Sequence, residues 1–201
     1  MIDLDDLEAT RTLLLEYLTE RAFQKRAVTL ASGRKSNFYI DCKQVTLDAE
    51  GHLLVGRMLF DAIERHMSAS PNVVEAAGGL TLGADPIASA VAMTSALRKK
   101  PIPAFIVRKE PKGHGTGAYI EGLSRVEPGS EVVVLEDVVT TGGSALKALE
   151  RVRAAGYKVE LVLGLVDRLE GGREAIEAEG VQLETLFTRR DFLSDAEVEE
   201  G

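Results

Sequence analysis

The chain has 201 residues, 45% of them hydrophobic, with 24 basic against 32 acidic side chains and a formal net charge of -8. That length fits one domain of ordinary size, able to bury its own core without a disulfide or structural metal. One cysteine, Cys42, excludes an intramolecular disulfide, three histidines without a CxxC pair leave no zinc-site spacing, and the acidic balance opposes nonspecific binding to nucleic acid or anionic membrane.

The opening segment is acidic and amphipathic, without the basic start and apolar core of a signal peptide, and residues 4–18 predict a first helix from their spacing. No run of about 18 apolar residues follows, so no membrane span is expected; a reducing cytoplasm is the natural compartment. The segment FYIDCKQV, 38–45, is β-prone, with Cys42 as a small strand residue. Asp48 then caps a helix from about 49 to 67 that carries His52 and His66 in structural or solvent-facing positions. Residues 72–79 read as a buried strand, and Asp85-Pro86 as N-cap and first residue of the next helix. A strand over 103–108 ends in a basic island of Arg98, Lys99, Lys100, Arg108, Lys109 and Lys112, which is either a solvated cluster or a site for a small, multiply charged anion. Residues 109–122, KEPKGHGTGAYIEG, lack periodicity and predict a long loop. Val132 to Leu135 form a short buried strand, SALKALERVRAAG a helix capped by Gly156, and 158–168 and 181–187 two strands around a short helix. The acidic tail, 194–201, is expected to fray.

Strands alternating with helices predict an α/β fold, a mainly parallel sheet covered on both faces. Ligands of such sheets sit beyond the carboxyl ends of the strands, here GGLTLGAD, RKEPKGHG, EDVVTTGGS and DRLEGG. Thr140, Thr141, Gly142, Gly143 and Ser144 join a strand to a helix, where free backbone N–H groups and the positive helix end attract an anion. There is no Walker A pattern, and GHGTGA does not fit GxGxxG, so a nucleoside-triphosphatase and a dinucleotide site are both disfavoured. Glu136 and Asp137, immediately upstream, would repel a phosphate unless the ligand also carries hydroxyls for them to accept from, as a ribose 5-phosphate does. A tight turn with an Asp-capped helix and a metal-carboxylate site are the alternative readings.

LEDVVTTGGSALKAL resembles the phosphoribosyl pyrophosphate (PRPP) motif of the type I phosphoribosyltransferases. Together with TLASGRKSNFYIDCK, RKEPKGHG and LVDRLEGG, in that order, it makes about residues 28–172 similar to the orotate phosphoribosyltransferase family. The resemblance implies the type I phosphoribosyltransferase fold in one domain over 1–201, with a core at about 46–170 and a small hood from about 1–45 and the C-terminal segment. It implies transfer of the 5-phosphoribosyl group from PRPP to orotate in pyrimidine biosynthesis, with Mg²⁺ held mainly through PRPP and water. By motif, PRPP is bound along the stretch Glu136, Asp137, Val138, Val139, Thr140, Thr141, Gly142, Gly143 and Ser144, with Glu136 and Asp137 at the ribose hydroxyls and Thr140 to Ser144 at the 5'-phosphate. Thr140, Tyr39, Ile40 and Arg168 face orotate, and the planar fork of Arg168 suits its carboxylate. Arg108, Lys109, Lys112 and His114 handle the pyrophosphate, and Lys109, Lys112, His114 and Asp137 form the implied catalytic set. Cations there stabilise the charge that builds on the leaving group, and the loop carrying them excludes water and reaches across a homodimer interface. A lone histidine in a glycine-rich loop is more often a passive surface residue; within RKEPKGHG, His114 reads as a donor to pyrophosphate. Ala31 and Leu82 stand where some members carry lysine, which touches rate and affinity more than reaction class. The alternatives are a purine phosphoribosyltransferase, with less need of Arg168, and a noncatalytic PRPP-sensing regulator.

Overall fold

The computed structural model describes residues 3–29, 35–71, 73–111 and 119–193, with backbone alone at 26–29 and 35–37. Ala31, Lys112, His114 and the tail 194–201 lie outside the described residues. Helix α1 (Leu7–Tyr17) runs through a π-helical turn (Leu18–Ala22) into an antiparallel hairpin of β1 (Phe23–Thr29) and β2 (Lys35–Ile40). After α2 (Lys43–Thr46) and α3 (Ala49–Ala69), strands and helices alternate as β3 (Val74–Leu80), α4 (Ala84–Leu97), β4 (Ala104–Val107), β5 (Ile120–Glu121), β6 (Glu131–Val139), α5 (Gly143–Ala154), β7 (Leu161–Asp167), α6 (Gly172–Glu177) and β8 (Gln182–Thr188), closed by a 3₁₀ turn (Arg189–Asp191).

The main sheet has the order β5-β4-β3-β6-β7-β8, and every neighbouring pair is parallel except β4 with β5. Its faces follow from the alternation along β6. Val133 and Leu135 join the core under α3 and α4 with Leu54, Leu59 and Ile87, whereas Val132 and Val134 join the core under α5 with Ala145, Leu149 and Val152. A continuous apolar run is therefore what a central strand covered on both sides requires. No helix among the described residues is long and apolar enough to cross a membrane.

Several boundaries differ from the sequence reading, each for a local reason. The first helix begins at Leu7, because the Asp6 carboxylate accepts from Ala9 N at 3.0 Å and starts the helix there. The strand expected over 38–45 ends at Ile40, because the Asp41 carboxylate accepts from Lys43 N at 3.3 Å and Gln44 Nε2 at 3.1 Å and turns the chain into α2. Cys42 is thus a buried residue at the start of a helix rather than in a strand. Asp85 does not cap α4: the backbone is already helical at Gly83, and the Asp85 carboxylate instead accepts from Thr81 Oγ1 at 2.7 Å. Pro86 still falls in the first turn, where its missing N–H costs no helical bond. The long loop 109–122 ends in β5, an edge strand that pairs Ile120 and Glu121 with Val107 and Ile106. Asp48 does cap α3, accepting from Gly51 N at 2.9 Å.

Gly79 in β3 carries no side chain because α4 and β6 press on it: a Cβ there would lie 2.1 Å from Leu135 O and 2.8 Å from Ala84 Cβ. Gly79→Ala is expected to lower unfolding stability by about 1–3 kcal/mol, the usual cost of overpacking, read as a lower urea midpoint at an unchanged slope.

Candidate active site

The site begins where β6 outlasts its apolar run. The sequence reading stopped the strand at Leu135, but pairing continues, Glu136 opposite Gly164, Val138 opposite Val166 and Val139 opposite Asp167 on β7. The two carboxylates are consequently part of the sheet rather than of a turn. Glu136 is only 6% exposed, and its Oε2 is buried with no hydrogen-bond partner. Burial, and then the adjacent Asp137 charge, hold the Glu136 carboxyl well above the ordinary carboxylate range. Asp137 Oδ1 accepts from Val138 N at 3.0 Å. The turn after β3 crosses directly over it: a Cβ on Gly83 would lie 2.3 Å from Asp137 Oδ1, so glycine is needed there for close approach.

Beyond β6 the chain passes Thr140 and the exposed Thr141 to Gly142, whose φ of 82° favours glycine, and then enters α5. No side chain caps this helix, and no acidic residue lies in its first turn. Its first N–H groups therefore lack intrahelical acceptors and its positive end lacks a counter-charge. A Cβ on Gly143 would meet no atom within 4 Å, and Ser144 is exposed beside it. On the other side the start of α6 closes in, since a Cβ on Gly172 would lie 2.5 Å from Thr140 O. A helix start of this kind can attract an anion, and upstream of it, beyond Val138 and Val139, stands a carboxylate pair able to accept from hydroxyl donors.

Arg168 follows β7 and is tied to this end of the sheet by its backbone N–H, which donates to Val139 O at 2.9 Å. Its side chain is buried; Nη2 donates to Phe38 O at 3.0 Å and pairs with Glu170 Oε1 at 2.9 Å. The bond to Phe38, 130 residues away in sequence, sets the guanidinium beside the half-buried Tyr39. Ile40 is buried in the core with Phe38. An uncapped helix start, a carboxylate pair and a buried arginine stand together at the adjoining ends of β6 and β7.

No protein-family model matches the chain. Orotate phosphoribosyltransferase of Sorangium cellulosum is 52% identical over 185 residues, covering 92% of this chain and 94% of that protein. Orotate phosphoribosyltransferase of Synechocystis sp. is 51% identical over 92% of this chain and 90% of its own length. The crystal structure of Mycobacterium tuberculosis orotate phosphoribosyltransferase in complex with PRPP superposes with a TM-score of 0.70 at 36% identity, covering 91% of this chain and 98% of that one. The chain belongs to the orotate phosphoribosyltransferase family.

Against the family reading, the structure brings together the candidates on β6, the β6–α5 junction, β7 and β2. Arg108 and Lys109 stand at a separate strand end, lining a cleft of about 480 Å³ with Thr81, Asp85, Ile106, Glu110 and Glu121. Arg108 Nε donates to Glu110 O at 3.3 Å, and its Nη1 pairs with Glu121 at 3.6 Å. Lys112 and His114 lie outside the described residues. Leu82, 62% exposed, stands in the turn between Thr81 and Gly83.

Three neighbours of the site escaped the sequence reading. Lys43 pairs with Asp41 Oδ1 at 2.6 Å, and that bond, followed by the Asp137 charge, raises its pKa, which marks a cation within electrostatic reach of the carboxylate pair. Its one signal was membership of the matched FYIDCK segment. Glu170, which holds Arg168, sat inside LVDRLEGG as an unremarked acid. Arg189 lies beyond the matched stretch; buried, with Nε and Nη2 lacking hydrogen-bond partners among the described residues, it stands 6.0 Å from the Phe38 ring centroid, and Arg168 stands 5.6 Å from the same ring. The His66, Glu131 and Glu160 ligand atoms, all within 4.8 Å of one another, form the group with metal-ligand closeness among the described residues. Glu131 opens β6, so that group lies at the opposite end of the strand from the carboxylate pair.

Because the folded chain holds the Glu136 proton more tightly than the unfolded chain does, ionising Glu136 costs stability above the ordinary carboxylate range and costs nothing below it. Glu136→Gln is therefore expected to match the parent Tm in acid and to exceed it by a widening margin as pH rises toward the folded-state pKa. Thermal melts of the ligand-free proteins across pH check this.

Proposed function

We propose that the protein transfers the 5-phosphoribosyl group of PRPP to orotate, giving orotidine 5'-monophosphate and pyrophosphate in pyrimidine biosynthesis. The observation that carries this reading is the uncapped, acid-free start of α5 at the end of a strand whose last residues include the buried Glu136 beside the half-buried Asp137. In this reading the N–H groups of Gly143 and Ser144 and the hydroxyls of Thr140 and Thr141 take the 5'-phosphate. Glu136 and Asp137 accept from the ribose hydroxyls. A diol donor offered to Glu136 Oε2 supplies the partner that this buried oxygen lacks. Val138 and Val139 carry the strand into the cradle and orient it through backbone bonds.

Arg168 takes the orotate carboxylate, with Tyr39 and Ile40 on the strand beside it and Thr140 between base and phosphate. Its fork is already set by Phe38 O and Glu170, so little side-chain freedom is lost on binding. As the C1'–O bond breaks, positive charge develops on the ribose, where Asp137 and Glu136 lie, and negative charge on pyrophosphate, which Arg108, Lys109, Lys112 and His114 meet. The residues fit Mg²⁺: the donors around the site are carboxylates and hydroxyls of Glu136, Asp137, Thr81 and Asp85, hard oxygens without thiolate or imidazole. When bound, mainly through PRPP and water, the ion supplies charge neutralisation on the departing pyrophosphate.

The active form in this reading is a homodimer that shares the 109–119 loop across its interface. Support comes from exposed apolar side chains on α4, Met93 and Leu97 one turn apart, and from Leu82 exposed in the turn before the helix, surface suited to a second copy of the chain. The hairpin β1–β2 and the chain after β8 form the hood, supported by Phe23, Phe38 and Phe192 stacking with ring centroids 5.0–5.7 Å apart. A free, buried Cys42 suits a reducing cytoplasm.

Pyrophosphate release from PRPP and Mg²⁺ is expected with orotate and not with uracil, hypoxanthine or adenine; turnover with a purine in place of orotate would sink the assignment. Arg168→Ala should cut kcat/KM for orotate roughly 10- to 100-fold, as loss of charge-assisted hydrogen bonds does, while PRPP binding by calorimetry stays within about threefold. An equal loss for both ligands would remove Arg168 from the orotate side. Mixing inactive Lys109→Ala and Asp137→Ala chains should restore part of the activity if each site draws its loop from the other chain.

A further inference from the structure

Arg151 lies on α5, the helix that opens at the anion cradle, and its side chain reaches to the end of β4. Nη1 donates to the carbonyl of Arg108, and Nη2 donates to the carbonyl of Lys109 at 3.0 Å. The guanidinium carbon also stands 4.0 Å from the centroid of the Tyr119 ring. Tyr119 in turn accepts from Arg108 N at 2.8 Å through its own carbonyl. One side chain thus engages the chain on both sides of the 109–119 segment. While their carbonyls meet Arg151, Arg108 and Lys109 line the cleft that includes Thr81 and Asp85.

We infer that Arg151 is a positioning residue for phosphoribosyl transfer: it clamps the backbone of Arg108 and Lys109 so that their side chains are presented to the pyrophosphate side of the site. The inference rests on the reading of Arg108 and Lys109 as pyrophosphate cations. The chemistry calls for arginine, because two nitrogens of one planar group reach two successive carbonyls while the face of that group stacks on an aromatic ring. Lysine offers a single point charge and cannot do both. The anchor lies eight residues into α5, about 12 Å along its axis from the cradle, so one rigid helix carries both the phosphate-binding end and the loop fastening. The mutual distance of the two halves of the PRPP site is then set by a helix rather than by a loop.

The test uses full-length Arg151→Gln and Arg151→Lys with PRPP, Mg²⁺ and orotate. Hydrogen exchange of a peptide covering residues 104–111 should rise in Arg151→Gln, with peptides from β6 and β7 and the Tm unchanged. The kcat should fall about tenfold, in the range of losing hydrogen bonds to a charged donor, with KM for orotate within about twofold of the parent. Arg151→Lys should recover part of kcat and not all of it. Unchanged exchange at 104–111, or kcat within twofold of the parent, would overturn the inference. Combined with Arg108→Ala and Lys109→Ala together, Arg151→Gln should add less than about twofold to the loss, since Arg151 acts through those two side chains, and multiplying losses would also overturn it. If Lys109→Ala alone keeps full turnover, the pyrophosphate reading of the loop falls, while the exchange result still decides the clamp.

Discussion

A buried carboxylate with an unmet oxygen, next to a second carboxylate and a few residues from an uncapped helix start, is the constraint on which the rest of this molecule turns. Glu136 is buried in the sheet, so an ionised carboxylate there would meet little water and, among the described residues, no cation in direct contact. Asp137 sits under Gly83, and α5 begins with free N–H groups and no acid in its first turn. Each group is costly alone. In the proposed function they act together on one ligand that presents hydroxyls to the carboxylates and an anion to the helix, the layout of a phosphorylated sugar.

The fold exists to hold those groups in register. A parallel sheet brings the carboxyl ends of β3, β4, β6 and β7 to one edge, and β6 is central enough to be packed on both faces. Glycines then let the loops approach: Gly83 against Asp137 and Gly172 against Thr140 O leave no room for a side chain. Arg168 gains its position from two directions, a backbone bond to Val139 and a side-chain bond to Phe38 of the hairpin. Arg168 is therefore coupled to the small hairpin sheet, whereas Glu136, Asp137 and the start of α5 are set by the main sheet.

What was legible from sequence follows from how local the signal is. The valines of β6 and the hydroxyl-glycine junction announce a buried strand and an anion loop because their meaning depends on neighbours within a few residues. The true end of β6 was not legible, since whether Glu136 and Asp137 lie in a strand or a turn depends on pairing with β7, a partner nearly thirty residues later. Asp85-Pro86 imitates a helix start, but the chain had already turned helical at Gly83. Cys42 looked like a strand residue until Asp41 bent the chain ahead of it. Lys43, Glu170 and Arg189 carry charges whose relevance is purely spatial.

By itself the sequence determined the α/β alternation, the hydroxyl-glycine junction between strand and helix with its carboxylate pair, and the motif set of the family, because periodicity, turn chemistry and ordered motifs are encoded by neighbouring residues. The tertiary structure alone decided that Glu136 is buried without a partner for Oε2, that Arg168 reaches the hairpin, and that Arg151 fastens Arg108 and Lys109 to the helix of the cradle. Those facts join residues 40 to 130 positions apart, and only the packing of helices and hairpin onto one sheet edge brings such residues within hydrogen-bond reach.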